Sequence, residues 1–206
     1  IDEAIIESSP SLKVISNMAV GTDNIDVASA TRHNIPVGNT PGVLTETTAD
    51  FAFSLLISSS RRIVDADNYV RAGHWKTWGP SILLGRDLFG ATLGIIGYGE
   101  IGQAMARRAT GFDMKILYNR RTPIEPIDGI NASYATVDQI LLQSDFVSLH
   151  VPLTPDTRHM IGARELSLMK DSAILINTAR GPVVDQQALV EALRAGRPER
   201  AAIDVT

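Results

Sequence analysis

The sequence contains no cysteine and no long apolar segment. Without cysteine, the 206 residues cannot form disulfide bonds, thiolate metal sites or cysteine nucleophiles. No apolar run reaches the roughly 18 to 20 residues that cross a bilayer, and the run at 51–60 is interrupted by serines. These absences predict a protein that does not span a membrane, and the lack of cysteine suits a cytoplasmic location.

A surplus of positive charge is also missing. The chain carries 19 lysines and arginines against 23 acidic residues, for a net charge of −4. This balance argues against a nucleic-acid surface and against a polybasic membrane patch, so we expect a small-molecule partner. The hydrophobic content of 44% is enough for a substantial core, which excludes disorder over most of the length.

The first residues, Ile1-Asp2-Glu3-Ala4, provide neither an initiator methionine nor a basic segment followed by an apolar one. We therefore expect no signal peptide here, and we expect that residues are missing from the protein's amino end.

Short apolar runs alternate with segments of helical periodicity, which predicts an α/β fold. Because each strand is followed by a helix, the strands should form a mostly parallel sheet covered by helices on both faces. The predicted strands are 12–16, 35–37, 92–96, 114–118, 145–150, 173–177 and 201–205. The predicted helices are 25–33, one long helix over 45–72, one ending near 110, one that follows a capping box at Thr136 and Gln139, and one that begins at Asp185.

The long helix divides a partial first unit, residues 1–45, from a second unit, residues 46–206.

A glycine-rich hexapeptide, Gly97-Tyr98-Gly99-Glu100-Ile101-Gly102, which we call the phosphate loop, follows a predicted strand and opens a predicted helix. This setting is typical of loops that bind a dinucleotide pyrophosphate, since glycines let backbone N–H groups and a helix amino end approach the phosphates. A tight structural turn is the alternative.

About twenty residues later, an NAD-preferring site would carry Asp or Glu to bind the ribose hydroxyls. This chain has Asn119, Arg120 and Arg121 there. Two guanidinium groups suit a 2′-phosphate, so NADPH is the favoured cofactor, with NADH as a possibility. The alternative is a solvated arginine pair with no ligand.

Four motifs in order, VGTDNID at 20–26, NTPGVLTE at 39–46, GYGEIG at 97–102 and NTARGPVVD at 177–185, resemble those of the D-isomer-specific 2-hydroxyacid dehydrogenases. The segment GHWKTWGP at 73–80 and the arginine pair look most like the glyoxylate and hydroxypyruvate reductases of that family. The resemblance implies a Rossmann-type doubly wound parallel sheet as the dinucleotide-binding domain, residues 46–206. It also implies that residues 1–45 are part of a flavodoxin-like substrate domain.

The activity implied by the resemblance is NADPH-preferring reduction of a small 2-keto acid, glyoxylate or hydroxypyruvate, to the D-2-hydroxy acid by a cytoplasmic homodimer. Two alternatives stay open. One is a dimeric module that senses NAD(P)H and presents a surface to another protein. The other is a dehydrogenase of the same family that acts on phosphoglycerate, formate or phosphite.

Arg180 is the predicted catalytic residue. It follows an apolar strand, and its guanidinium can hold a substrate carboxylate while it polarises the neighbouring carbonyl. The resemblance adds the backbone N–H groups of Val20 and Gly21 as further carboxylate ligands. It also implies that the following residues bind the cofactor: Thr48, His150, Val151, Pro152, Thr157, Thr178, Ala179 and Asp204. The phosphate loop, Asn119 and the arginine pair are the other predicted cofactor-binding residues.

The family's catalytic glutamate and histidine come after the position of Asp204, so we expect both to lie outside this chain. His33, His74, His150 and His159 do not match the family's acid. His33 and His159 are predicted to be exposed, and His150 is predicted to pack near the adenine side of the cofactor. Trp75 and Trp78 either pack in the core or contact a second subunit. No metal site is predicted.

Overall fold

Six parallel strands form the main sheet of the protein, in the spatial order Ala132–Tyr134, Lys115–Asn119, Thr92–Ile96, Phe146–Leu149, Ile174–Asn177 and Arg200–Ile203. The structure is a computed structural model that describes residues 1–125 and 127–206. It divides into two units, Ile1–Glu46 and Thr47–Thr206, which are described separately. The strands are β1 Ile15–Ser16, β2 Val37–Gly38, β3 Thr92–Ile96, β4 Lys115–Asn119, β5 Ala132–Tyr134, β6 Phe146–Leu149, β7 Ile174–Asn177 and β8 Arg200–Ile203. The helices are α1 Glu3–Glu7, α2 Val27–Arg32, α3 Thr45–Ser60, α4 Ile63–Arg71, α5 Glu100–Thr110, α6 Val137–Gln143, α7 Ala163–Leu168 and α8 Gln186–Arg194.

In the second unit, alternate residues of the central strands face opposite sides of the sheet. Leu93 and Ile95 of β3 pack in one core with residues of α3 and α5. Ile96 packs in the other core with residues of α6, α7 and α8. Strands β6 and β7 are buried along their whole length, as expected for a parallel sheet covered on both faces. This arrangement confirms the predicted α/β class and the doubly wound parallel sheet.

Gly94 marks the place where α6 lies closest to β3. A Cβ there would clash with the side chains of Ile140 and Ser144. The capping box predicted for α6 is present, since the Thr136 hydroxyl accepts from Gln139 N and the Gln139 side chain accepts from Thr136 N.

The first unit contains two short parallel strands, in which Ile15 pairs with Val37 and Ser16 with Gly38. Its small core is built from Ile6, Ile15, Ile25 and Ala30. Helix α2 begins after Asp26, whose carboxylate accepts from Ser29 N at 2.8 Å.

The prediction of one long helix over 45–72 is wrong, because the chain breaks into α3 and α4. Arg62 adopts a left-handed conformation with φ of 55° between them. The carbonyl oxygen of Ser60 accepts a hydrogen bond from Arg86 N at 2.8 Å, so this carbonyl bonds to a residue outside the helix. Gly85 makes this approach possible, since a Cβ there would clash with the Ser60 carbonyl.

The start of α4 is held by charged side chains. Asp65 accepts from Arg62 at 2.9 Å and from Arg200 of β8 at 3.0 Å. These two hydrogen bonds hold the pKa of Asp65 below its ordinary value. Gly73 follows the end of α4 with φ of +70°, the left-handed conformation in which glycine commonly ends helices.

Three short elements, α1, β5 and α7, were not predicted. Each has six residues or fewer and so carries little periodic signal. Among residues 1–125 and 127–206, no helix combines the length and the apolar character that a membrane span requires.

Candidate functional site

Four predicted site residues lie directly after strands of the main sheet, and a fifth is the last residue of a strand. Because the strands are parallel, their carboxyl ends meet at one edge, where sheets of this kind bind ligands. Gly97 follows β3, His150 follows β6, Thr178 follows β7 and Asp204 follows β8, while Asn119 is the last residue of β4. The sequence therefore placed these residues correctly at one edge of the sheet.

Backbone hydrogen bonds join these strand ends. Gly97 N donates to the Asn119 carbonyl at 3.0 Å, and His150 N donates to the Ile96 carbonyl at 2.7 Å. At the far side of the edge, Asp204 N donates to the Asn177 carbonyl at 3.0 Å.

Close contacts require glycine at two of the three glycine positions of the phosphate loop, and the third position is open. Gly97 has φ of +99°, and a Cβ there would lie 2.5 Å from the carbonyl carbon of His150. At Gly102 a Cβ would clash with the Gly97 carbonyl oxygen, so this glycine allows α5 to start close to the loop. At Gly99 a Cβ would enter open space.

The loop and the start of α5 fit a dinucleotide pyrophosphate. Helix α5 has eleven residues, and Gly99 at its amino end provides no side-chain cap. The first backbone N–H groups of a helix lack intrahelical acceptors and carry partial positive charge. The open space at Gly99 lets an anion approach these groups without meeting a side chain.

The end of β4 carries the arginine pair. Arg120 is half-buried, and within the described part of the chain its guanidinium has no ion-pair partner. Arg121 is exposed and lies 3.8 Å from the carboxylate of Asp156, which is also exposed. Such an exposed pair contributes little to stability, so the Arg121 guanidinium is available to a ligand. The Asn119 amide donates to the Ala135 carbonyl at 2.9 Å.

Three tyrosines lie beneath this corner of the sheet edge. The ring of Tyr98, from the phosphate loop, stacks on that of Tyr118 with centroids 4.2 Å apart. Tyr118 in turn meets Tyr134 edge-on at 5.7 Å. Burial raises the pKa of the Tyr98 phenol, so this group stays protonated. The stack connects the phosphate loop to the strand that carries the arginine pair.

The segment after β6 is ordered by its own side chains. The Thr157 hydroxyl donates to the Pro152 carbonyl at 2.6 Å and accepts from Thr154 N at 2.8 Å. Nε2 of His150 lies 2.9 Å from the Ser148 hydroxyl, and burial lowers the pKa of His150 to about 4. The imidazole is therefore neutral at physiological pH.

Arg180 lies in a turn that is organised by Asn177. The Asn177 side chain is buried, with its oxygen accepting from Ala179 N at 3.0 Å and its nitrogen donating to the Arg180 carbonyl at 3.0 Å. The guanidinium of half-buried Arg180 donates to the Ala179 carbonyl at 2.8 Å. Thr178 lies between Asn177 and Ala179 in the chain. Its hydroxyl is buried and has no hydrogen-bond partner among the described residues. A buried hydroxyl of this kind fits a polar ligand at the strand end.

Of two further cofactor residues implied by the resemblance, Thr48 and Asp204, only Asp204 is tied to this edge. Thr48 is half-buried in α3, and no described hydrogen bond joins its side chain to the strand ends. Asp204 is exposed, with its backbone anchored to β7 as described above.

In the first unit, Val20 and Gly21 belong to a segment whose carbonyls are all bound. The Ala19 carbonyl accepts from Thr40 N at 3.1 Å, and the Val20 carbonyl accepts from Asn39 Nδ2 at 2.9 Å. The Gly21 carbonyl accepts from Asn17 Nδ2 at 2.7 Å.

Sequence reasoning missed the three asparagines that hold these turns, Asn17, Asn39 and Asn177. Each lies at or just after a strand and just before a turn, a position where Asn commonly bonds to nearby backbone. That signal was present in the sequence. The hydrogen-bond partners of these asparagines could not be read from the sequence, because residues such as Asn39 and Val20 are separated by 19 positions along the chain.

The other polar candidates lie outside these groups. His33 and His159 are exposed, as predicted. Trp75 and Trp78 are 49% and 73% exposed, so the core-packing alternative is wrong for both. In the described part of the chain, no three His, Cys, Asp or Glu side chains are arranged to hold a metal ion.

Comparison with known proteins agrees with this geometry. A family model described as "D-isomer specific 2-hydroxyacid dehydrogenase, NAD binding domain" matches residues 53–206. The chain is 54% identical over 210 residues to a glyoxylate reductase of Thermococcus litoralis, covering all of this chain and 63% of that protein.

Two solved structures are similar over the whole chain. A D-lactate dehydrogenase from Aquifex aeolicus, complexed with NAD and lactic acid, has a TM-score of 0.93 at 35% identity, and 61% of it is covered. An acyclic imino acid reductase in complex with NADPH and D-Arg has a TM-score of 0.91 at 33% identity, and 65% of it is covered. The chain thus spans a little under two thirds of each of these proteins.

The neutral imidazole of His150 predicts a pH dependence of folding. Above pH 6.5 the residue is uncharged in both states. As the pH falls from 6.5 towards 4, the unfolded chain gains a proton that the folded chain does not, so the free energy of unfolding falls. In His150→Gln this loss should be smaller by about 1 to 3 kcal/mol, as measured by urea unfolding between pH 7 and 4.

Ser148→Ala is the matched control, since it removes the hydroxyl beside the ring but keeps the imidazole buried. Its pH dependence should follow that of the wild type. Identical pH profiles for His150→Gln and the wild type would contradict the interpretation.

Proposed function

The chain belongs to the D-isomer specific 2-hydroxyacid dehydrogenases, and on that premise we propose that it is part of a reductase of small 2-keto acids. The proposed substrate is glyoxylate or hydroxypyruvate, the product is the corresponding 2-hydroxy acid, of D configuration where the new alcohol carbon is chiral, and the preferred cofactor is NADPH. The observation that carries the proposal is the Arg180 turn, held by Asn177 at the same sheet edge as the phosphate loop. The similarity to a glyoxylate reductase supports the substrate class.

Reduction of a 2-keto acid places negative charge on the carbonyl oxygen as hydride reaches the carbonyl carbon. A bound nicotinamide cofactor would supply that hydride, and uptake of one proton by the resulting alkoxide completes the alcohol. We assign to Arg180 the stabilisation of the developing charge, because a fixed guanidinium beside an oxyanion lowers the barrier. The same planar group can bind the substrate carboxylate through two parallel hydrogen bonds.

The backbone N–H groups of Val20 and Gly21 are the proposed second anchor for the carboxylate. Gly21 has no side chain, so an anion can approach the backbone there. In this proposal the first unit is part of the flavodoxin-like substrate domain, residues 1–45, and residues 46–206 form the dinucleotide-binding domain.

The remaining assignments concern the cofactor. Residues of the phosphate loop would bind the pyrophosphate, and the buried Thr178 hydroxyl supports a polar contact at the end of β7. We further propose cofactor contacts from Thr48, Asn119, Val151, Pro152, Thr157, Ala179 and Asp204. His150, neutral and next to the phosphate loop, is proposed to lie on the adenine side, where an uncharged ring can pack against a base.

NADPH is preferred in this proposal because the end of β4 has arginines in place of a carboxylate. Similar structures are complexed with NAD or with NADPH, so the fold itself accommodates either cofactor. Discrimination between NADPH and NADH then depends on the charge at the end of β4. Arg120 supports the choice, since it is half-buried and has no ion-pair partner within the described residues.

The full-length protein should reduce glyoxylate or hydroxypyruvate with NADPH, and Arg180→Ala should lower kcat/KM by about a thousandfold. Removal of a positive group beside a developing oxyanion typically costs about 10²–10³ in rate, and here the carboxylate anchor is lost as well. Steady-state kinetics that follow NADPH absorbance test both statements.

Arg194→Ala, at an exposed position on α8, is the control and should keep wild-type kinetics. If the wild type acts on no 2-keto acid, the proposed function is wrong, and the cofactor-sensing and other dehydrogenase alternatives become the next hypotheses. If Arg180→Ala is fully active, Arg180 does not have the assigned role.

Arg120→Ala should weaken NADPH binding by about tenfold to a hundredfold and leave NADH binding within about twofold, because the lost charge-assisted bonds go only to the 2′-phosphate. Isothermal titration of both cofactors gives the two dissociation constants. Arg71→Ala, which removes an exposed arginine of α4 that pairs with Asp67, serves as control. Equal losses for the two cofactors would contradict a role at the 2′-phosphate.

We also propose that the protein forms a homodimer through the segment around Trp75 and Trp78. Exposed tryptophans are frequent anchors of protein interfaces. The double variant Trp75→Ala, Trp78→Ala should shift the full-length protein from dimer to monomer in sedimentation velocity. Val190→Ala on α8 removes exposed apolar surface elsewhere and should leave the dimer intact. A double variant that sediments as the wild type would refute this interface.

A further inference from the structure

The backbone segment 19–21 has all of its carbonyl oxygens occupied. Thr40 N binds the Ala19 carbonyl, Asn39 Nδ2 binds the Val20 carbonyl, and Asn17 Nδ2 binds the Gly21 carbonyl, at 3.1, 2.9 and 2.7 Å. Two of the three donors are consecutive residues that follow strand β2.

These bonds determine where the amides of the segment point. In a planar trans peptide, the C=O of one residue and the N–H of the next point in opposite directions. The Val20 N–H is therefore directed away from Thr40, and the Gly21 N–H is directed away from Asn39. Neither N–H group has an acceptor within residues 1–125 and 127–206. Successive free N–H groups bind an anion where they converge on one point.

We propose that Asn39 is a positioning residue for the substrate carboxylate: its side-chain amide holds the Val20 carbonyl and thereby aims the Gly21 N–H at the carboxylate. This inference rests on the proposed function. Asn39 would not touch the substrate, because its hydrogen bond is made at the edge of the peptide unit opposite to the Gly21 N–H.

Of the two asparagines, Asn39 permits the cleaner test. Asn17 is buried to 91% of its surface and also accepts from Asn24 Nδ2 at 3.4 Å, so its replacement would disturb the small core as well. Asn39 is exposed, and water can take the place of its amide without leaving a buried group unpaired. The backbone bond from Thr40 to Ala19 would remain in an Asn39 variant.

The experiment compares the full-length wild type with Asn39→Ala and with a matched control, Thr31→Ala. The control also removes one side-chain hydrogen bond to a backbone carbonyl of the first unit, from the Thr31 hydroxyl to Val27 O at 2.8 Å. In Asn39→Ala, the KM for glyoxylate should rise about tenfold while kcat changes less than twofold, because the carboxylate is bound equally in the ground and transition states.

A second measurement does not depend on turnover. Oxamate, which carries a carboxylate beside a carbonyl group and accepts no hydride, should bind the NADPH complex about tenfold more weakly in Asn39→Ala by calorimetry. Thr31→Ala should match the wild type in KM and in oxamate affinity.

The outcomes separate the two proposals. If the wild type reduces glyoxylate and Asn39→Ala keeps both the KM and the oxamate affinity, Asn39 does not position the carboxylate site, and the proposed function stands. A fall of kcat by about tenfold in Asn39→Ala, with KM unchanged, would also overturn the positioning role. A wild type with no activity on 2-keto acids overturns the proposed function, and the inference about Asn39 with it.

Discussion

Parallel strand pairing is the constraint on which the dinucleotide-binding unit depends. It brings the ends of β3, β4, β6, β7 and β8 to one edge, and short backbone bonds such as His150 N to Ile96 O hold the following segments beside each other. The close approach of Gly97 to His150 is possible only because glycine stands at position 97. The phosphate loop, the arginine pair and the Arg180 turn are near one another for this reason.

Asparagine side chains serve the same purpose in both units. The Asn177 side chain bonds to the backbone of Ala179 and Arg180, and Asn17 and Asn39 bond to the carbonyls of Gly21 and Val20. A primary amide can do this because it carries both a donor and an acceptor on a short side chain. The turns that present proposed ligand groups are thus held by neutral hydrogen bonds, which add no charge that would compete with an anionic substrate.

The electrostatics of the sheet edge suit anions. The amino end of α5 contributes partial positive charge, Arg120 and Arg121 add two full charges, and Arg180 adds a third. His150 lies among these groups but is kept neutral by burial. A cation there would be disfavoured by desolvation, whereas an aromatic ring without charge can pack against a cofactor base.

The sequence by itself determined the α/β class, the central strands β3, β6 and β7, the phosphate loop and the motif around Arg180, because these depend on local patterns of apolar residues and glycines. It could not reveal that the helix over 45–72 breaks at Arg62, since the break depends on a bond from Arg86 to Ser60 across 26 positions. Short elements such as β5 lacked enough residues for a periodic signal. Only the tertiary structure decided that Trp75 and Trp78 are exposed and that Asn39 holds Val20, because such contacts join residues that are distant along the chain, and local propensity carries no information about them.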